Sequence, residues 1–216
     1  MKMSSRTPPN LGWIETKLDQ KHIDYLWKRI EERKTDTFKH SLAGNISGSY
    51  EIEDKDDYFF KEVLSEHVSA YYNMNNSSHP VQNYIMGEFE FWLQSFWVNY
   101  QNQGEFNPFH NHGGVYSFAI WLKIPTSWED QCNLTFLDGI KKHEKKASNF
   151  EFEYTDILGG IRNFGYRLDK SLEGTMLFFP AALRHTVYPF YECDKQRISV
   201  AGNVWLVPRK EIDRGK

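Results

Sequence analysis

From residue 88 to residue 207 the chain is a train of short apolar and aromatic runs cut by turn residues, and that pattern leaves few folds open. Residues 88–101 alternate strictly. Phe89, Phe91, Leu93, Ser95, Trp97 and Asn99 share one face of a strand, and Glu90, Trp92, Gln94, Phe96, Val98 and Tyr100 the other. Further strand-like runs follow at about 105–111, 115–124, 132–137, 150–157, 162–168, 174–179, 184–190 and 196–207. Many short strands at this spacing build a sandwich or barrel. In the last run Ile198, Val200, Gly202, Val204 and Leu206 form an apolar face. The other face carries Arg197, Ser199, Ala201, Asn203 and Trp205. If that row is buried it needs partners, because an unpaired buried charge is very costly. The plainer reading is a solvent-facing strand side with an ordinary surface arginine.

Ahead of the strands the period changes. Ile23, Leu26, Trp27 and Ile30 recur at helical spacing after Asp19, which predicts a helix ending near Lys34–Asp36. Residues 37–57 read as a long loop, with Asp56 or Asp57 capping a second helix. That helix presents Phe59, Phe60, Val63, Leu64, His67, Val68 and Tyr71, and residues 73–80 break it. His67 reads as a packing residue. Two helices before the strands predict an α+β arrangement with the helices on one sheet. We expect a single domain over residues 1–216, with helical support at about 12–80 and a β core at about 84–208.

Hydrophobic residues make up 40% and charged residues 25%, a globular composition, and the net charge of −3 gives no reason to expect nucleic acid. The basic run at 141–146 reads as a solvated turn. Two cysteines, Cys132 and Cys193, form neither a zinc spacing nor a disulfide framework. With no leader-like N-terminus and no run long enough to span a bilayer, a cytoplasmic, membrane-independent protein is expected.

The chemistry concentrates in Phe106-Asn107-Pro108-Phe109-His110-Asn111-His112-Gly113-Gly114. In an extended segment His110 and His112 point to one face and can converge on one point. His185 follows the run Gly174–Pro180, whose proline places it at a sheet rim. Alone, a His-x-His pair says little. Together with Arg197-Ile198-Ser199 the set resembles the iron- and 2-oxoglutarate-dependent dioxygenases, in a prolyl-hydroxylase-like, His-x-His variant. The closing segment Ile198-Ser199-Val200-Ala201-Gly202-Asn203 resembles the end of that pattern. The resemblance spans about Trp97 to Leu206.

It implies a double-stranded β-helix, a cupin-like jelly roll, braced by the N-terminal helices. It also implies Fe(II), 2-oxoglutarate as co-substrate and O2, and hydroxylation of a substrate with release of succinate and CO2. His110 and His185 would be metal ligands, with His112 the third, standing where the usual pattern has Asp or Glu. Arg197 would pair with the far carboxylate of 2-oxoglutarate beside Ser199, with Asn203 and Asn99 lining the same site. Trp97, Tyr100, Tyr116 and Trp121 are candidate walls. Alternatively only one of His110 and His112 binds, and Asp138 or Glu105 completes the set. Two other functions stay open, a three-histidine cupin enzyme without 2-oxoglutarate and a non-enzymatic jelly-roll binding module. The substrate, a small molecule or a peptide, and the oligomeric state are not written in the sequence.

A third neutral imidazole in place of a carboxylate removes negative charge beside the metal. His112→Asp is therefore expected to bind divalent metal more tightly and to lower the iron reduction potential. Equal metal titrations and equal voltammetry for the two proteins would contradict this.

Overall fold

The structure, a computed structural model, describes residues 3–4, 10–33, 44–75, 79–80 and 87–208. Among these, the strands are β1 (Ile14–Lys17), β2 (Gly48–Glu51), β3 (Phe89–Gln101), β4 (Asn107–His110), β5 (Tyr116–Lys123), β6 (Asn149–Thr155), β7 (Ile161–Arg167), β8 (Thr175–Pro180), β9 (Arg184–Val187) and β10 (Arg197–Pro208). Helices are α1 (Gln20–Glu31), α2 (Ser65–Met74) and α3 (Trp128–Cys132). The strands make two antiparallel sheets. A six-stranded sheet runs β1-β8-β5-β10-β3-β2, and a four-stranded sheet runs β4-β9-β6-β7.

β10 is the centre of the large sheet, zipped to β3 on one side and β5 on the other. Opposite residues in an antiparallel pair share a face, so the register sorts the whole molecule. Ile198, Val200 and Val204 face the helices, packed in one cluster with Leu26 and Ile30 of α1 and with Phe59, Val63, Leu64, Val68 and Tyr71. The other face of the sheet meets the small sheet, where Trp121, Phe150, Phe152, Tyr166, Leu177 and Phe179 form a second cluster. Each such ring taken out of water contributes roughly 1.5–3 kcal/mol before entropy is counted.

Several expectations change. Residues 132–137 are not a strand, because α3 ends at Cys132 and a 3-10 turn, Thr135–Leu137, follows. Ser127 caps α3 by accepting from the Asp130 N–H at 3.1 Å. The second helix is capped by Asp54 rather than Asp56 or Asp57. The Asp54 carboxylate accepts from the N–H groups of Phe59 and Phe60 at 2.8 and 2.9 Å and from the Tyr25 hydroxyl at 2.7 Å. Asp56 and Asp57 instead take positive φ in the preceding turn. The helix then opens with a π-helical segment, Phe60–Leu64, before α2. β2 forms inside the expected loop 37–57, and β1 pairs with the edge of β8. α1 ends at Glu31; the expected end near 34–36 lies outside the described residues.

The alternation in β3 also breaks once. Asn203 opposes Ser95 but Val204 opposes Leu93, so Gln94 is the extra residue of a bulge. Trp92 and Glu90 therefore share a face with Trp97, which a strict period of two assigns to the opposite side.

Gly202 sits mid-strand on the helix side of β10, where a Cβ would lie 2.6 Å from Phe118 Cζ and 2.7 Å from the Ser95 carbonyl oxygen. Because one neighbour is backbone, Gly202→Ala should destabilise the fold by about 2 kcal/mol or more in urea unfolding. A change near zero would contradict this packing.

Candidate metal and anion site

The three histidines meet where β4 and β9 pair. His110 ends β4 directly opposite His185 in β9, and their ring centroids are 4.3 Å apart. His112 lies two residues on, with its N–H bonded to the Ala181 carbonyl at 2.8 Å. Its ring stacks on Trp97 at 5.7 Å and on His185 at 4.9 Å. The Gly-Gly turn that follows is a matter of space and conformation. Gly114 has a φ of +99°, and a Cβ there would sit 2.8 Å from Trp205 Nε1 and 2.9 Å from the Val204 carbonyl oxygen. One ring nitrogen from each of the three histidines lies within 4.8 Å of the other two.

Two of the imidazoles are oriented by a backbone carbonyl on the outer side. His110 Nδ1–H donates to the Pro108 carbonyl at 2.8 Å, and His185 Nδ1–H to the Leu183 carbonyl at 3.0 Å. A carbonyl can only accept, so both protons sit on Nδ1 and both Nε2 lone pairs point inward. Asn203 is a polar neighbour of His112 and opposes, weakly, the lowering of its pKa. Asn203 Oδ1 also takes the Ser117 hydroxyl at 3.0 Å. His112 Nε2 faces His185 Nε2 at 3.1 Å. His185 Nε2 accepts there from His112 Nε2–H, and a metal that displaces that proton would take lone pairs from both rings. All-imidazole donation suits a transition metal such as iron or zinc. The donor set fits a metal.

Burial pushes all three imidazoles below their ordinary range. His110 is lowered chiefly by burial. His112 falls to about 4 through burial and then the neighbouring His110. His185 is held well below 6.5 by burial and then by both partners. The three are neutral at pH 7 and ready to ligate.

Arg197 lies in the same cavity and is 2% exposed. Its Nε and Nη2 donate to Gln101 Oε1 at 2.9 and 2.7 Å, and Nη2 also donates to the Tyr188 carbonyl at 2.8 Å. Nη1 reaches only the Ser148 hydroxyl, at 3.4 Å. Among the described residues no carboxylate forms an ion pair with it. Burial alone pulls its pKa to about 9. Ser199, Asn99, Asn107, Trp97 and Trp121 complete the walls of a cavity of about 50 Å³. The Oδ1 atoms of Asn99 and Asn107 are buried there without a hydrogen-bond partner among the described residues. So narrow a space has to widen to admit a five-carbon dicarboxylate.

Of the residues singled out from sequence, His110, His112, His185, Arg197, Ser199 and Asn99 line this cavity. Asn203 stands behind His112 instead. Trp97 and Trp121 are walls, whereas Tyr100 and Tyr116 pack on the helix side. Glu105 and Asp138 do not join the histidine group. Glu105 is spent on the N–H groups of Ser47 and Asn102, at 3.1 and 2.8 Å, and Asp138 closes the turn after residue 137. His67 is a packing residue, bonded to Thr16 and to the Val63 carbonyl. Gln101 went unnoticed in the sequence, although it follows Trp97 and Asn99 on the same face of β3. Ser148 and Tyr188 could not be found that way: one sits at positive φ in a turn, and the other acts through its backbone.

A family profile described as "Putative 2OG-Fe(II) oxygenase" matches residues 95–203, just over half of the chain. The chain belongs to the 2-oxoglutarate/Fe(II) oxygenase family. No curated protein matches the sequence. Among solved structures, a collagen prolyl hydroxylase of Paramecium bursaria Chlorella virus-1 is similar at TM-score 0.47 and 11% identity, covering 89% of this chain and 94% of its own. A Pseudomonas putida prolyl-4-hydroxylase gives 0.47 and 14%, covering 92% and 94%. An oxidoreductase of the 2OG-Fe(II) oxygenase family from Burkholderia pseudomallei gives 0.49 and 10%, covering 90% and 84%. Likenesses this distant carry no weight for substrate or mechanism.

The histidine cluster has a consequence for the metal-free protein. Unfolded histidines take up protons below about 6.5, whereas the folded His112 resists down to about 4. Stability is therefore complete above pH 6.5 and falls as pH drops toward 4, by on the order of 2–3 kcal/mol from His112 alone. Urea midpoints measured from pH 7.5 to 4 check this, and a flat profile would contradict it.

Proposed function

We propose that this protein is an iron(II)- and 2-oxoglutarate-dependent hydroxylase acting on a small molecule or a peptide. In this reading the two antiparallel sheets form a double-stranded β-helix, a jelly roll within a single domain over residues 1–216. Family membership supports the reaction class. The observation that carries the reading is Arg197, a buried guanidinium with no carboxylate partner among the described residues, in the cavity that holds the three histidines.

His110, His112 and His185 would hold the metal, with the Pro108 and Leu183 carbonyls keeping the rings of His110 and His185 turned toward it. Arg197 offers its loosely held Nη1 to the far carboxylate of the co-substrate, supplying the anion that the buried cation otherwise lacks. Ser199 stands beside Arg197 as a hydroxyl donor. Trp97, Trp121 and Phe150 keep water from the remaining space. When bound, iron(II) and 2-oxoglutarate would supply the oxygen-activating chemistry, with succinate and CO2 as co-products.

A three-histidine cupin enzyme without 2-oxoglutarate would leave Arg197 uncompensated, and a mere binding module would leave the convergence of three ring nitrogens unexplained. Among the described residues no helix is long and apolar enough to cross a membrane. A cytoplasmic location remains part of the proposal.

The test is calorimetry with Mn(II), then 2-oxoglutarate, alongside succinate release with Fe(II). His185→Ala should weaken metal binding by a factor of about 100 or more. Arg197→Ala should keep metal affinity and lose about 100-fold in 2-oxoglutarate affinity, the expected scale for removing one partner of a buried charge pair. An Arg197→Ala protein with unchanged 2-oxoglutarate affinity would overturn the reading.

A further inference from the structure

One set of oxidisable side chains leads from the cavity to the surface, and beyond the place of Trp121 in the cavity wall the mechanism above does not use it. Trp121, on β5, is a cavity wall and is buried. Its ring lies 6.0 Å, centroid to centroid, from Tyr166 on β7. The Tyr166 oxygen accepts from Trp13 Nε1 at 2.7 Å and donates to Glu15 Oε2 at 2.9 Å. Trp13 is half-buried, just before β1, and Glu15 is exposed. The path thus crosses from one sheet to the other and ends in solvent.

Packing alone would be served by phenylalanine, as at the neighbouring Phe150 and Phe152. What the set adds is chemical: three rings that can each lose an electron, and a phenol whose proton already has a carboxylate acceptor. Oxidised tyrosine is a strong acid, so loss of its electron requires a base within hydrogen-bond reach. Glu15 is that base.

We propose that Trp121, Tyr166 and Trp13 form an electron relay that restores the iron centre after it has been oxidised with no substrate in place. The proposal rests on the oxygenase reading. Consumption of 2-oxoglutarate and O2 without substrate leaves the centre two electrons above iron(II) and holding one oxygen atom. Its return to iron(II) takes two electrons and two protons and releases one water. In each one-electron step Trp121 gives an electron to the centre and Tyr166 gives one to oxidised Trp121. The phenol proton passes to the Glu15 carboxylate. Trp13 then reduces the tyrosyl radical, which takes its proton back from Glu15. A soluble one-electron reductant of the ascorbate class restores Trp13 at the surface, and solvent supplies the two protons that leave in water.

The experiment is turnover of the iron-loaded protein with 2-oxoglutarate and O2 but no substrate, with succinate measured in every sample. Freeze-quench EPR on protein with ring-deuterated tyrosine detects the radical, and peptide mass spectrometry locates added oxygen. Wild type should show a tyrosyl signal altered by deuteration and oxidation concentrated at Trp13, both suppressed by ascorbate. Tyr166→Phe keeps the ring and the packing. At equal succinate it should lose that signal and shift oxidation several-fold toward Trp121. Trp13→Phe should lengthen the life of the tyrosyl radical. Succinate with no tyrosyl signal in wild type, or an identical oxidation pattern in Tyr166→Phe, overturns the relay and leaves the oxygenase reading intact. No succinate at all overturns both.

Discussion

A guanidinium buried between two sheets without a carboxylate is the constraint on which this structure turns. Arg197 keeps its charge because Gln101, the Tyr188 carbonyl and Ser148 surround it with acceptors. Neutral acceptors compensate a buried charge only in part, and the depressed pKa of the group records what remains. β10 cannot slip by one residue without turning Arg197 into the helix-side core and Ile198 and Val200 into the cavity. The charge and the apolar face thus enforce the same register from opposite sides.

The histidines pose the complementary problem. Burial and mutual proximity keep them neutral, and outer acceptors fix two of the protons away from the centre. The site therefore presents three neutral ring nitrogens able to ligate, in the same cavity as a cation with no carboxylate partner among the described residues. A metal and a dicarboxylate answer both demands together. Either ligand alone answers one.

Much of this was legible in the chain because the strands obey a period of two. Alternation in residues 197–206 separated the cavity row from the helix row, and His-x-His in an extended segment predicted convergence with His185. Features that depend on a single backbone departure were not legible. The bulge at Gln94 exchanges the faces of Trp92 and Glu90, the caps move to Asp54, and the run 132–137 bends into turns although its residues suit a strand. Gln101 was within reach, on the face of Trp97 and Asn99. The acceptors that orient the imidazoles are mostly backbone carbonyls, which any residue carries, so residue identity leaves no trace of them.

The family places the chain among oxygenases, and the local chemistry explains how an all-histidine site could work there. The most direct measurement is anaerobic absorbance of the purified protein on addition of Fe(II) and then 2-oxoglutarate. The account predicts a weak visible charge-transfer band that appears only when both are present, marking the keto acid chelated to iron held by the three histidines. Iron binding with no band on addition of 2-oxoglutarate would contradict it, and so would failure to bind iron.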